Sequence, residues 1–160
     1  MRRAGQGYTV VELITVMVVI GILAAIAIPR ITQITEFTGS AYRSQVVSAL
    51  RHAQKSALSH RHRVCVTLGA SGLSIKIASD PSVVNCDLTL TSLYSDPNFY
   101  NSKDKAVTAS GPLVNGSQPT MFFQPNGEIW DSAGNVITAG SISITGVRPI
   151  RIDGSTGHVE

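Results

Sequence analysis

The sequence predicts an α+β chain. One long N-terminal helix, apolar in its first half and amphipathic in its second, is expected to pack on a small antiparallel β domain. Three observations predict this. An uncharged apolar run extends from Leu13 to Ile28. Apolar residues then recur at Ile31, Ile34, Tyr42, Val46, Leu50, Ala53 and Ala57, at spacings of mostly three and four, the period of a helix with one buried face. At Val64 the period shortens, and short β-prone segments separated by Gly, Pro and Asn follow, as in paired strands.

Composition bounds the possibilities. A chain of 160 residues builds one domain and little more. Hydrophobic residues make up 43% and charged residues 14%, against about 25% charged in an average soluble domain. A disordered polyelectrolyte tail is therefore excluded. The formal charge of +3 is too weak to announce a nucleic-acid binder. Two cysteines are too few for a disulfide scaffold or a zinc ribbon.

The apolar run justifies the first half of the helix. Taken back to Tyr8 and on to Ile28 it is long enough, at about 1.5 Å per residue, to span a bilayer core of about 30 Å. Arg2 and Arg3 precede it, and the positive-inside rule keeps them in the cytoplasm. Three readings compete for such a segment. One is a cleaved secretory signal, for which Ala25-Ile26-Ala27 offers a small-x-small cleavage site. The second is a plain membrane anchor. The third starts from Glu12, a carboxylate four residues after Tyr8 inside the apolar run, which costs about 2.5–3.5 kcal/mol on insertion scales and is usually paired.

Gly7-Tyr8-Thr9-Val10-Val11-Glu12-Leu13-Ile14, followed by an apolar helix and Pro29, resembles the class III signal of type IV pilins and type II secretion pseudopilins. The resemblance implies that a prepilin peptidase cuts between Gly7 and Tyr8 and methylates the new amine of Tyr8. It divides the chain into a leader (1–7), a transmembrane half-helix (8–28), an amphipathic half-helix (29–63) and a periplasmic β domain (64–160), in a type IV pilin-like fold. The protein is then expected in the bacterial inner membrane, single-pass, and assembled into a filament. Tyr8 stands where the family usually has Phe. Glu12 acquires a physical role: in subunits stacked with an offset it meets the amine of a neighbour's Tyr8, each charge supplying the other's partner. Pro29 removes a backbone donor and is expected to kink or locally melt the helix.

The second half-helix is expected to end between Ser59 and Arg61. Arg51, His52, Lys55, His60, Arg61, His62 and Arg63 crowd its last stretch, where cations complement the macrodipole. The plain reading is a solvated basic face; an anion or nucleic-acid contact is the alternative. Val64–Leu68 and Leu73–Ile77, joined by Gly69-Ala70-Ser71-Gly72, read as a hairpin. Residues 79–119 read as loop-rich, with short strands near 88–94 and 105–109. A turn at Gln124-Pro125-Asn126-Gly127 separates Thr120–Phe123 from Glu128–Trp130. Final strands are expected at Gly140–Thr145 and Pro149–Asp153, followed by a tail, Gly154–Glu160.

Leu50–Ala57, the turn from Phe123 to Gly127, Arg148–Ile152 and Thr156–Val159 resemble, in order, segments of the GspH/FimT-type minor pseudopilins. The implied function is structural: a minor pseudopilin at or near the tip of a type II secretion pseudopilus. Its implied partners are other pseudopilins or pilins bound through the N-terminal helix, the prepilin peptidase, the assembly platform and the inner membrane. The alternative is a FimT-like minor pilin that captures DNA for uptake. Relatives that capture DNA carry a Gly-Arg-x-Arg tail; this chain has Gly157-His158-Val159-Glu160, which argues against nucleic acid as a partner. Candidate DNA contacts on that alternative are Arg148, Arg151, Arg51 and Lys55. Cys65 and Cys86 would face an oxidising compartment, either bridged or as two separate thiols. His60 and His62 with His52 lack a third ligand at a defined metal spacing. No serine sits in a nucleophile elbow and no glycine loop cradles phosphate, so neither an enzyme nor a cofactor is expected.

Overall fold

The computed structural model describes residues 9–82, 85–90 and 100–160, with the backbone alone over 26–36. Two compact units emerge, Met1–Ile34 and Thr35–Glu160. Helix α1 runs from Val10 to His60.

In the first unit Thr9 caps the helix. Its Oγ1 accepts the Glu12 N–H at 3.3 Å, and its carbonyl accepts the Leu13 N–H at 3.2 Å. Val10, Val11, Leu13, Ile14, Met17 and Ile20 are all more than half exposed. A helix apolar all round is one whose neighbours are hydrophobic. Among the described residues no helix is long and apolar enough to cross a membrane. The described side chains of the run stop at Ala25, short of the Tyr8–Ile28 span expected from the sequence. Gly7 and Tyr8 lie outside the described residues. The backbone is helical through Pro29, so the local melt offered as one outcome there does not occur; its side chain is likewise outside the described residues.

In the second unit the helix buries one stripe. Tyr42, Val46, Leu50, Ala53 and Ala57 are at most 2% exposed, at successive steps of four, four, three and four. Helix α1 stops at His60, within the Ser59–Arg61 window expected from the sequence. Arg61 turns the backbone left-handed (φ 57°), and the His60 ring closes on the Ser56 carbonyl, 3.0 Å from Nδ1. A left-handed residue just past the last turn is a common helix stop, usually glycine.

Among the described residues nine strands form two antiparallel sheets. The first has the order β3-β2-β1-β5-β6, from β1 (Val64–Leu68), β2 (Leu73–Ile77), β3 (Leu88–Thr89), β5 (Met121–Phe123) and β6 (Ile129–Trp130). The second has the order β4-β7-β8-β9, from β4 (Ala109–Ser110), β7 (Gly140–Ile144), β8 (Ile150–Asp153) and β9 (His158–Val159). In β1 and β2, Val64 faces Ile77 and Leu68 faces Leu73, the hairpin expected from the sequence. Alternate residues point inward: Val64, Val66, Leu68, Ile75, Phe123, Ile142, Ile150 and Ile152 join the helix stripe in one core. Cys65 points to the other face of β1, and its sulfur is bonded to that of Cys86, with the Cα atoms 5.9 Å apart.

Two sequence expectations need correction. The strand expected near 105–109 forms only at Ala109–Ser110. The tail is not a tail. Beyond the Ile152–Val159 and Asp153–His158 pairs, Arg151 and Glu160 exchange both backbone hydrogen bonds, at 2.8 and 3.0 Å, so the ordered pairing reaches Glu160. The chain reverses at Gly157, whose φ is +70° and where a Cβ would run into the Gln54 side chain and the Gly127 carbonyl. Only glycine fits both conditions.

Candidate functional site: a basic groove beside the helix

Helix α1 offers a second stripe next to its buried one. Arg43, Val47, Arg51 and Lys55 are spaced by four, and Ser44, Ser48 and His52 run beside them. Residues four apart lie on one face, and twelve residues of rise set Arg43 and Lys55 about 18 Å apart along the axis. Arg148, Pro149, Arg151 and Glu160 form the facing wall. The space between measures about 800 Å³. A smaller cavity of about 480 Å³ shares Arg51 and Lys55 and continues past Gln54 to Thr156–Val159.

The charge here is concentrated. Five cations line the groove against one carboxylate, Glu160, an excess larger than the +3 of the whole chain. Two of the five also hold the walls together. Arg43 Nε donates to the Arg148 carbonyl at 3.0 Å. Arg51 donates to the Val159 carbonyl through Nε at 3.2 Å and Nη2 at 2.9 Å. A guanidinium has five N–H donors, so both keep donors in hand. Among the described residues the side chains of Lys55, Arg148 and Arg151 make no hydrogen bond or ion pair. Glu160 leans toward His158, 3.6 Å away, and both are more than 60% exposed.

His52 is half-buried in the groove wall. Its Nδ1 is buried without a hydrogen-bond partner among the described residues, and burial lowers its pKa from the ordinary imidazole value. Tyr42, one turn of helix before Val46, is buried, with its hydroxyl unpartnered among the described residues; burial pushes its pKa up to about 12.

The structure therefore brings Arg51, Lys55, Arg148 and Arg151, all four candidate contacts, to one groove. Sequence reasoning did not nominate Arg43 for it, and included His52 only as one member of the basic run at the end of the helix. The i+4 spacing of Arg43 with Val47, Arg51 and Lys55 was the available signal. Such an arrangement binds anions by charge and guanidinium hydrogen bonds. Among the described residues its lining has no Phe, Tyr or Trp on which a base could stack; its one ring is the His52 imidazole. Among the described residues no group of His, Cys, Asp and Glu could hold a metal ion.

At the other end of the chain, Glu12 is third after the Thr9 cap, the T-x-x-E arrangement of a capping box. That helix start lies inside a recognised motif: residues 2–28 match the prokaryotic N-terminal methylation motif. Two fimbrial proteins of Pseudomonas aeruginosa are each 45% identical to this chain over 56 residues, which is 35% of this chain and 36% of theirs. The chain thus spans about a third of the length of the curated relatives it matches. No solved structure matches it. The methylation motif over residues 2–28 and the likeness to the fimbrial proteins support a protein of the type IV pilin or pseudopilin type.

Proposed function

We propose that this chain is a minor pseudopilin, a structural subunit at or near the tip of a type II secretion pseudopilus. The single observation that carries the reading is the methylation motif over residues 2–28 with a carboxylate, Glu12, in the first turn of an apolar helix. A prepilin peptidase cuts after Gly7 and methylates Tyr8. Residues 8–28 then anchor the chain in the inner membrane, with the β domain in the periplasm. Its partners are other pilin-type subunits, met through the apolar helix, and the platform that assembles them. Loss of Arg2 and Arg3 with the leader lowers the formal charge from +3 to +1, read from the same sequence. Co-expression with a prepilin peptidase followed by intact-mass measurement tests this: the product begins at methylated Tyr8. Cleavage after Ala27 overturns it.

A second reading is favoured by one specific observation, the five cations of the groove. In it the subunit belongs to a type IV pilus and captures DNA. Single-stranded binding that neutralises Z phosphates gives a salt slope of about −0.7Z, so five contacts correspond to about −3.5. Replacing both Arg148 and Arg151 by alanine is expected to flatten that slope by about 1.4. Sub-micromolar affinity at about 150 mM salt supports this reading. Binding no tighter than the ~10⁻⁴–10⁻⁶ M of non-specific contacts returns the groove to the role of a solvated face.

A further inference from the structure

We infer that His52 takes up a proton when an anion occupies the basic groove, so that anion binding at this site is coupled to pH. This rests on the polyanion reading of the groove and adds the residue that regulates it.

The argument starts from the position of the imidazole. His52 stands between Arg51 and Lys55 in the groove wall, half-buried, with Nδ1 buried and lacking a partner among the described residues. A neutral imidazole leaves one ring nitrogen bare, whereas the imidazolium must place N–H donors on both. An orphaned buried donor is unfavourable. The charged groups around the groove are mostly cations. Arg43, Arg51 and Lys55 face the groove from α1, and Arg148 and Arg151 from the opposite wall. Glu160 is the one carboxylate among the lining residues, and it leans toward His158 in the adjoining cavity. Burial lowers the His52 pKa. The empty groove therefore favours the neutral ring.

A chain of phosphates reverses the local sign. It brings negative charge among the cations, which favours the charged imidazolium over the neutral ring, while Nδ1 stays buried in the wall. The proton comes from solvent to the ring nitrogen, and no other bond changes. Because the bound-state pKa lies above the free one, affinity strengthens as pH falls, by up to one decade per pH unit through the imidazole range of about pH 5–8. His158 and Glu160 also stand beside the groove, so the prediction concerns the difference that His52 alone makes.

The test uses the full chain in a non-ionic detergent, with a labelled single-stranded DNA of about twelve nucleotides as probe at fixed salt. Between about pH 7.5 and 5.5 the wild type is expected to gain about tenfold more affinity than His52→Gln. His158→Gln should keep that excess. In parallel, the NMR titration midpoint of the His52 ring should move upward when inorganic polyphosphate is added. Parallel pH profiles for wild type and His52→Gln, or an unmoved titration midpoint, overturn the inference while leaving the polyanion reading standing. Absence of wild-type binding at both pH values overturns the two together.

Discussion

Replacing Glu12 by Gln separates two roles that the structure and the assembly argument give to one carboxylate. The Glu12 N–H caps on Thr9 Oγ1 at 3.3 Å, and the Glu12 carbonyl accepts from Thr15 Oγ1 at 2.9 Å, so the residue is built into the first turn. Glutamine serves as well as glutamate at the third position of a capping box. What it loses there is the charge–macrodipole term, about 0.3–1 kcal/mol, or a factor of at most about five. If instead the carboxylate pairs with the terminal amine of a neighbouring subunit away from water, removing one partner costs about 3–5 kcal/mol, a factor of a hundred or more in incorporation. The two magnitudes do not overlap. The assay is co-expression with the cognate assembly machine, with the ratio of variant to wild type in sheared filaments read by immunoblot. Processing after Gly7 serves as the control for delivery. On the pairing argument Glu12→Gln is nearly absent from filaments. Incorporation of Glu12→Gln at the wild-type level would refute the pairing argument and leave Glu12 as a helix-start residue.

Reducing the Cys65–Cys86 bond, which closes a separation of 21 residues, should remove about 3 kcal/mol on chain-entropy grounds. At about 3–4 °C per kcal/mol for a domain of this size, circular dichroism with and without reductant should show melting about 10 °C lower; a shift below about 2 °C contradicts that account. Gly157→Ala forces a Cβ onto the Gln54 side chain and the Gly127 carbonyl at φ +70°, and a loss of about 2 kcal/mol in urea unfolding is expected. Hydrogen bonds to the carboxylates of Asp131 and Asp153 lower both pKa values. Depressed acids stabilise the fold above their unfolded pKa and lose that contribution as pH falls through the folded one. The urea midpoint should therefore drop below about pH 4, and a flat midpoint from pH 5 to 3 would exclude this contribution.

Where local chemistry decides, the fold was legible in the sequence. The Tyr42–Ala57 stripe follows from helical spacing alone. The β1–β2 hairpin follows from alternation around a four-residue glycine-bounded loop. In the turn from Gln124 to Gly127, the Gln124 carbonyl accepts the Gly127 N–H at 3.0 Å and Gly127 takes a φ of +95°, as its Pro-Asn-Gly composition suggests. What escaped depends on distant partners. Strand β9 is two residues long and exists because β8 is beside it, so His158–Glu160 carried no signal of their own. The placement of β5 against β1, from Val64–Phe123 to Val66–Met121, joins segments nearly sixty residues apart. The helix stop at Arg61 lacks the glycine that usually marks one. Thr9 was overshadowed by the motif around it, although T-x-x-E is a capping signature in its own right.

The same contrast governs how the groove is best probed. Arg43 and Arg51 line it, but each also bonds a backbone carbonyl across the space, at Arg148 and Val159 respectively. Truncating either removes a charge and loosens the wall facing it, so lost binding would not distinguish a ligand contact from a displaced strand. Arg51 is the sharper case, because Val159 is buried and its carbonyl is held by two guanidinium donors. Lys55, Arg148 and Arg151 have no such second duty among the described residues, and their side chains can be neutralised at little cost to stability. A change in salt slope that accompanies these three substitutions, with the urea midpoint unchanged, therefore measures phosphate contacts. The same change accompanying Arg51→Ala measures β9 as well.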